Sequence, residues 1–340
     1  MQILLGNSLS TGIREHFNAN AAANGHAILP ASLSQFPSRE AFAEIKGNVK
    51  GQDVVIIQSL GAVAEQSAND FAMQLLFAAD ALKSEYGARA VWAVMPFLAY
   101  ARQDKNRVDH QDSIGIKTIA KLLKKAGVDG VSTVDIHSKD SLKILKKVFG
   151  KKNVSSIDPT DLYVRYLQEQ NIASMAIGGP DAGAHDRAAR VASAVGAVEF
   201  HVAKHRDADM VGVTQLTHFE GKVKGQHAII VDDIVDSGGT VKNCAIRLLE
   251  EGTTDVSMMM AHGVFSNNAV ERLYSAKASD MKPVFTRIVV TDAIDIEPEL
   301  QRLERQYSDL RERVVMLPLG ETLMQHVTNT VAPRFSIMNK

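Results

Sequence analysis

The run Val231-Asp232-Asp233-Ile234-Val235-Asp236-Ser237-Gly238-Gly239-Thr240 gathers the residue types that a sugar phosphate needs. Asp232 and Asp233 are adjacent acids at the end of an apolar stretch. Carboxylates are acceptors and hard oxygen ligands, so the pair suits a vicinal diol or a magnesium shell. Gly238 and Gly239 lack a Cβ, which lets backbone N–H groups converge on a phosphate. Ser237 and Thr240 add hydroxyls at the start of a helix whose dipole favours an anion. The acids would hold a ribose and the glycine turn its phosphate. Asp-Ser-Gly-Gly-Thr also makes a turn and helix cap, but two acids directly after a buried strand are not what a turn requires. No G-x-x-x-x-G-K-[ST], G-x-G-x-x-G or G-x-S-x-G occurs, which sets aside P-loop, dinucleotide-binding and nucleophile-elbow chemistry.

Other clusters carry chemistry less specifically. Tyr100-Ala-Arg102-Gln103-Asp104-Lys105 follows an apolar run ending at Pro96-Phe97 and offers a guanidinium and an amide to phosphate oxygens. By itself it reads as a charged loop. In Thr133-Val-Asp135-Ile-His137, strand alternation puts Asp135 and His137 on one side of a strand that ends there. Gly179-Pro180-Asp181-Ala-Gly183 sets an acid at another strand end, in what is otherwise a Pro-Asp turn. Cys244 falls on the helical stripe Val241, Cys244, Ala245, Leu248, Leu249 and reads as a small buried hydrophobe. Lys146, Lys147, Lys151 and Lys152 read as a solvated face.

Short β-branched runs must position these residues: Asp53–Gln58, Val91–Met95, Gly130–Asp135, Met175–Ile177, Ala228–Val231, Val256–Met260 and Arg287–Val290. Amphipathic helices such as Phe71, Leu75, Ala78, Ala79, Leu82 separate them. Continuously apolar strands between helices predict an α/β fold with parallel sheets buried on both faces. Lys50-Gly-Gln-Asp-Val-Val-Ile-Ile57 is echoed by Lys224-Gly-Gln-His-Ala-Ile-Ile-Val231, each followed by a helix, a glycine and a strand, which predicts two related doubly wound domains. The boundary falls near residues 150–158, where the lysine-rich stretch meets the helix-start signal Asp158-Pro159-Thr160.

Composition agrees with this frame. Hydrophobic residues are 45% and charged residues 23% of the 340, an ordinary globular balance. Thirty-eight Lys plus Arg against 39 Asp plus Glu leave no global pull toward nucleic acid or an anionic membrane. One cysteine makes no intrachain disulfide, the first residues lack a secretory pattern, and no apolar run approaches the ~20 residues of a membrane span. The expectation is a soluble cytoplasmic protein.

In this order, Tyr100–Lys105, Thr133–His137, Gly179–Gly183 and Val231–Thr240 resemble the ribose-phosphate pyrophosphokinase family, also called phosphoribosyl pyrophosphate synthetases, over roughly residues 3 to 325. The resemblance implies two tandem phosphoribosyltransferase-like domains, each a mainly parallel sheet flanked by helices. Residues 1–155 would form the nucleotide side, completed by a C-terminal helix about 318–332, and residues 156–317 would carry the ribose 5-phosphate loop. The implied reaction moves the β,γ-diphosphoryl group of ATP to the anomeric hydroxyl of ribose 5-phosphate with Mg²⁺, giving phosphoribosyl pyrophosphate and AMP.

By the same resemblance, Phe36, Ser38, Glu40, Arg102, Gln103 and Asp104 face the nucleotide, with Phe36 and Glu40 borrowed from a neighbouring subunit of a homo-oligomer, a dimer or hexamer. Asp232, Asp233, Asp236, Ser237, Gly238, Gly239 and Thr240 hold ribose 5-phosphate, and His137 and Asp181 hold metal. Lys204 and Arg206 meet the transferring phosphoryl group, where positive charge serves a transition state that spreads negative charge. No general base stands out; Asp233 and Asp236 are both candidates. Phe36-Pro-Ser38-Arg39-Glu40 departs from the family's Phe-Ser-Asp-Gly-Glu, which opens the base preference. Asn106–Ser113 replaces a basic run, so regulation by phosphate or ADP does not carry over. Ala184 stands for a second glycine. A phosphoribosyltransferase and a silent regulatory subunit are the competing readings. The Arg102-Gln103 loop and His137 speak against the first, and retention of Lys204, Arg206 and the acidic pair against the second.

Overall fold

Unbroken β-branched apolar runs such as Val54–Ile57 form strands buried inside a sheet, while the equally apolar Leu75–Ala79 lies in a helix. The computed structural model describes residues 1–106, 110–204 and 216–338. Its first strands are β1 (Gln2–Leu5), β2 (Ala27–Ile28), β3 (Ala31–Gln35), β4 (Ala41–Ile45), β5 (Asp53–Ile57), β6 (Ala90–Met95), β7 (Gly130–Val134) and β8 (Val154–Ile157). β3 and β4 pair as an antiparallel hairpin; the others form a parallel sheet in the order β2-β1-β5-β6-β7-β8. Helices α1 (Thr11–Asn20), α2 (Ala68–Asp80), α3 (Gly115–Lys125) and α4 (Lys139–Phe149) connect them. Every residue of β6 is buried, as a strand covered on both faces requires.

The second sheet contains β9 (Met175–Gly178), β10 (Val198–Lys204), β11 (Leu216–Glu220), β12 (His227–Val235), β13 (Asp255–Gly263), β14 (Arg287–Thr291) and β15 (Val314–Leu317) in the order β11-β10-β9-β12-β13-β14-β15. Only β10 and β11 pair antiparallel among these. Helices α5 (Thr160–Glu169), α6 (His185–Val195), α7 (Gly239–Glu250), α8 (Ala269–Tyr274), α9 (Glu297–Leu303) and α10 (Leu310–Arg313) belong with it. Two compact units result: Met1–Asp158 with Asp292–Glu297 and Pro318–Lys340, and Pro159–Thr291 with Pro298–Leu317. The chain thus returns to the first unit as α11 (Gly320–His326) and α12 (Ala332–Met338), and Leu323 and Phe335 of these helices, with Val327 between them, are buried there. Phe335 meets Trp92 edge-on, and Trp92 Nε1 donates to Ser132 Oγ, which also meets His326 Nε2.

The internal echo is structural as well as sequential. β5 and β12 are each the first strand laid down after the winding reverses, and each follows the same turn. Gly51 and Gly225 take φ 69° and 74°, where a side chain is strained. Their N–H groups donate to Gly87 and Gly252 carbonyls, both at 2.8 Å, while the Gln52 and Gln226 carbonyls accept from Arg89 and Thr254. Two strands differ from the sequence reading. β12 continues past Val231 to Val235, because β13 keeps pairing with it as far as Gly263, so Asp232 and Asp233 lie within the strand. β7 stops at Val134, and Asp135 takes φ 35°, so alternation does not reach His137.

Candidate active site

Open α/β sheets bind ligands at the carboxyl ends of their strands, where the winding reverses. In the second unit that place lies between β9 and β12, and it is where Gly179-Pro180-Asp181 and Asp236–Thr240 emerge. Asp232 accepts from the Asp233 N–H and from Arg187 Nη1 at 3.0 Å, and Asp233 Oδ1 lies 3.5 Å from the same guanidinium nitrogen. Burial, then the neighbouring Asp233 charge, push the Asp232 carboxyl well above the ordinary range, and Arg187 opposes them. Asp181 caps the turn Ala182–Ala184 by accepting from the Gly183 N–H at 2.8 Å. Ala184 is fully buried, where a Cβ added to Gly179 would come within 2.4 Å of the Ala184 methyl.

The phosphate turn has two glycines with different reasons. Gly238 is the N-cap of α7 at φ 76°, and an added Cβ would come within 2.8–3.0 Å of the Leu273 side chain. Gly239 has nothing within 4 Å of its ideal Cβ position, so its side-chain space is open. α7 begins without a side-chain cap, which leaves its first N–H groups for a ligand. Arg272 Nη2 donates to the Ser237 carbonyl at 3.0 Å and fixes the turn from α8, while Ser237 and Thr240 are exposed.

In the first unit the winding reverses between β1 and β5, but that position is filled. The fully buried Gln58 lies so close to Gly6 that an added Cβ there would overlap its Oε1. Its amide donates to Asn7 at 3.2 Å and Gln74 at 3.4 Å. The candidate residues sit instead beyond β6 and β7. Tyr100 and Asp135 both take positive φ, 68° and 35°, and strained backbone of this kind concentrates at functional sites. Ser138 Oγ donates to Asp104 and accepts from the Ser141 N–H, while Ser141 Oγ donates to the Ala101 carbonyl at 2.6 Å. These bonds tie the Arg102-Gln103-Asp104 loop to the start of α4, next to His137. Asp104 thereby locates the loop. Arg102 is exposed, and Gln103 leans on Gly115 at the start of α3.

Phe36, Ser38 and Glu40 lie on the turn between β3 and β4. Phe36 is half exposed and packs on Phe42 at 5.0 Å between centroids. Ser38 Oγ donates to Glu40 Oε2 at 2.6 Å, and Arg39 adopts φ 67°. Lys204 ends β10; Arg206 lies outside the described residues.

Arg187 was missed by the sequence reading, although a signal existed. On α6 the buried face runs through Ala184, Ala188, Val191 and Ala192, and a cation beside Ala188 on that face needs an anion. As for metal, Asp181, Asp232, Asp233 and Asp236 are carboxylates of the hard oxygen type that a divalent ion keeping part of its water accepts, although no three of them converge among the described residues. His137 offers one imidazole. Neither His137 nor Asp181 belongs to a converging group of three such ligands among the described residues.

Comparison with known proteins agrees with both sheets. The N-terminal domain of ribose phosphate pyrophosphokinase matches residues 6–127, and the phosphoribosyl transferase domain matches residues 153–281. The chain is 34% identical to the ribose-phosphate pyrophosphokinase of Granulibacter bethesdensis over 286 residues, 84% of this chain and 88% of the relative. It is also 34% identical to that of Bradyrhizobium diazoefficiens, over 81% of this chain and 83% of the relative. The phosphoribosylpyrophosphate synthetase of Mycobacterium smegmatis shares the fold, with a TM-score of 0.77, 24% identity, and coverage of 98% of this chain and 99% of that one.

Proposed function

The chain belongs to the ribose-phosphate pyrophosphokinase family and is a diphosphotransferase of that activity, and we propose that its two units divide the substrates between them. The second unit takes ribose 5-phosphate: the uncapped start of α7, with open space at Gly239, receives the 5-phosphate, and the Asp232–Asp233 pair receives the ribose hydroxyls. The first unit takes ATP through Arg102 and Gln103. Phe36 and Glu40 come from a neighbouring copy in a cytoplasmic homo-oligomer.

In the proposed transfer the anomeric oxygen attacks the β-phosphorus in line, the bond from that phosphorus to the α-phosphate oxygen breaks, and AMP leaves. The hydroxyl proton passes to a nearby carboxylate. Asp233 and Asp236 both remain candidates. Lys204 and Arg206 supply positive charge to the transferring group. Bound Mg²⁺ would screen the phosphate charge, with His137 as a ligand in the first unit and Asp181 as a ligand of a second site in the second.

The observation that carries this reading is the acidic pair, with its Arg187 counter-charge, beside an open phosphate turn at the winding reversal. Base preference follows from the β3–β4 turn: Glu40 is engaged by Ser38, and Arg39 occupies a left-handed position, so adenine recognition is weakened and several nucleoside triphosphates serve. The test is a coupled assay of purified protein with ribose 5-phosphate, Mg²⁺ and ATP, GTP, CTP or UTP in turn, following nucleoside monophosphate and phosphoribosyl pyrophosphate together. Product with several nucleotides is expected. Product with ATP alone would refute the relaxed preference, and none with any would refute the assignment of substrates.

A further inference from the structure

Among residues not assigned to the transfer, the second unit gathers His185, Glu199 and His201. His185 opens α6, while Glu199 and His201 alternate on β10 and so face the same side of the sheet. Their ligand atoms all lie within 4.8 Å of one another. The imidazoles meet edge to face at 4.5 Å between centroids, and His201 Nε2 is 3.8 Å from Glu199 Oε2, too long for a hydrogen bond. On the adjoining strand, Glu220 is the direct antiparallel partner of His201, which puts a second carboxylate on the same face.

We propose that His185, Glu199 and His201 form a binding site for a borderline transition-metal cation, with Zn²⁺ as its natural class of ligand. Two imidazoles and one carboxylate are a donor set that zinc takes in tetrahedral geometry, with the remaining position left to water or to Glu220. Ligand atoms about 2 Å from a tetrahedral ion lie roughly 3.3 Å apart, so separations of up to 4.8 Å close in by about 1.5 Å or less. Their exposure permits that movement. Mg²⁺ does not compete well, because it demands oxygen donors at octahedral spacing. The bound ion ties the first turn of α6, which carries Arg187, to the strand that ends at Lys204. The site stands on this cluster alone and does not depend on the assignment of substrates above.

The test is calorimetric titration of the full chain with Zn²⁺ in millimolar Mg²⁺, so that sites preferring oxygen ligands are already filled. The expected result is one saturable Zn²⁺ per chain, weakened at least tenfold in H185A and in H201A and less in E199Q. Zn²⁺ should also raise the unfolding midpoint of the unmodified chain and not that of the two histidine variants, whose metal-free midpoints serve as folding controls. No stoichiometric Zn²⁺ binding, or binding unchanged in both histidine variants, would overturn the proposal.

Discussion

Adding one methyl group to each of the adjacent glycines Gly238 and Gly239 should have opposite effects. Gly238→Ala forces a side chain into left-handed backbone, a cost of about 1–2 kcal/mol. It also drives a methyl to within 2.8–3.0 Å of Leu273, where overpacking costs roughly 1–3 kcal/mol more. Together these amount to about 3 kcal/mol, which lowers the midpoint of a unit this size by roughly 6–12 °C. Gly239→Ala meets no protein atom within 4 Å and exchanges a flexible residue for a better helix former, so stability holds or rises by about 0.5–1 kcal/mol. Its methyl, however, occupies the space assigned to the 5-phosphate. Losing one charge-assisted N–H contact costs about 1.5–3 kcal/mol, or roughly 10–100-fold in affinity for ribose 5-phosphate. Unfolding by circular dichroism and the KM for ribose 5-phosphate, measured on both variants, separate the two effects. A Gly239→Ala enzyme with normal stability and an unchanged KM would refute the placement of the phosphate at α7.

Arg187→Met removes the cation that opposes burial and the Asp233 charge at Asp232. The acidic limb of the kcat/KM profile should then move to higher pH, and an unshifted profile would show that the pair does not work in its ionised form. In the first unit two buried groups oppose each other. Burial pushes the Asp292 carboxyl up to about 6 and the His326 imidazole down to about 4. Folded Asp292 keeps its proton where the unfolded carboxyl has lost it, so its contribution falls as pH rises from about 4 to 6. Unfolded His326 gains a proton that the folded one refuses, so its contribution falls as pH drops from about 6.5 to 4. Each is worth roughly 3 kcal/mol over its window. Urea unfolding of Asp292→Asn should show stability rising with pH between about 4 and 6.5, and His326→Gln the reverse; equal slopes in the two variants would count against both assignments.

The inner strands β5, β6, β7, β9, β12, β13 and β14 were legible because burial on two faces demands unbroken apolar runs, as in Asp53–Ile57 and Ala90–Met95, whereas β1, β2, β8, β10, β11 and β15 were not read from the sequence. The same criterion halted at Val231, since it cannot see that pairing with β13 carries two acids into a strand. Positive φ at Tyr100 is equally silent in the sequence, because Tyr is not a residue type that announces a left-handed turn, and at Asp135 the apolar strand before it masks the tolerance that Asp has for that conformation. Gln58 looked like the polar end of a strand, and only the Gly6 backbone beside it shows that it plugs the winding reversal. Arg187 became visible through its partners, which lie far from it in sequence.

The return of the chain to its first unit has a consequence for how a ribosome must make this protein. The first sheet is synthesised early, yet Leu323, Val327 and Phe335, which pack into that unit, are translated after the last strand of the second. The part begun first is therefore finished last. While the second unit is being translated, the first waits with the apolar groove around Trp92 uncovered, the kind of surface that chaperones hold and aggregates recruit. A stop codon near residue 318 would leave the second sheet whole and strip the first of its lid.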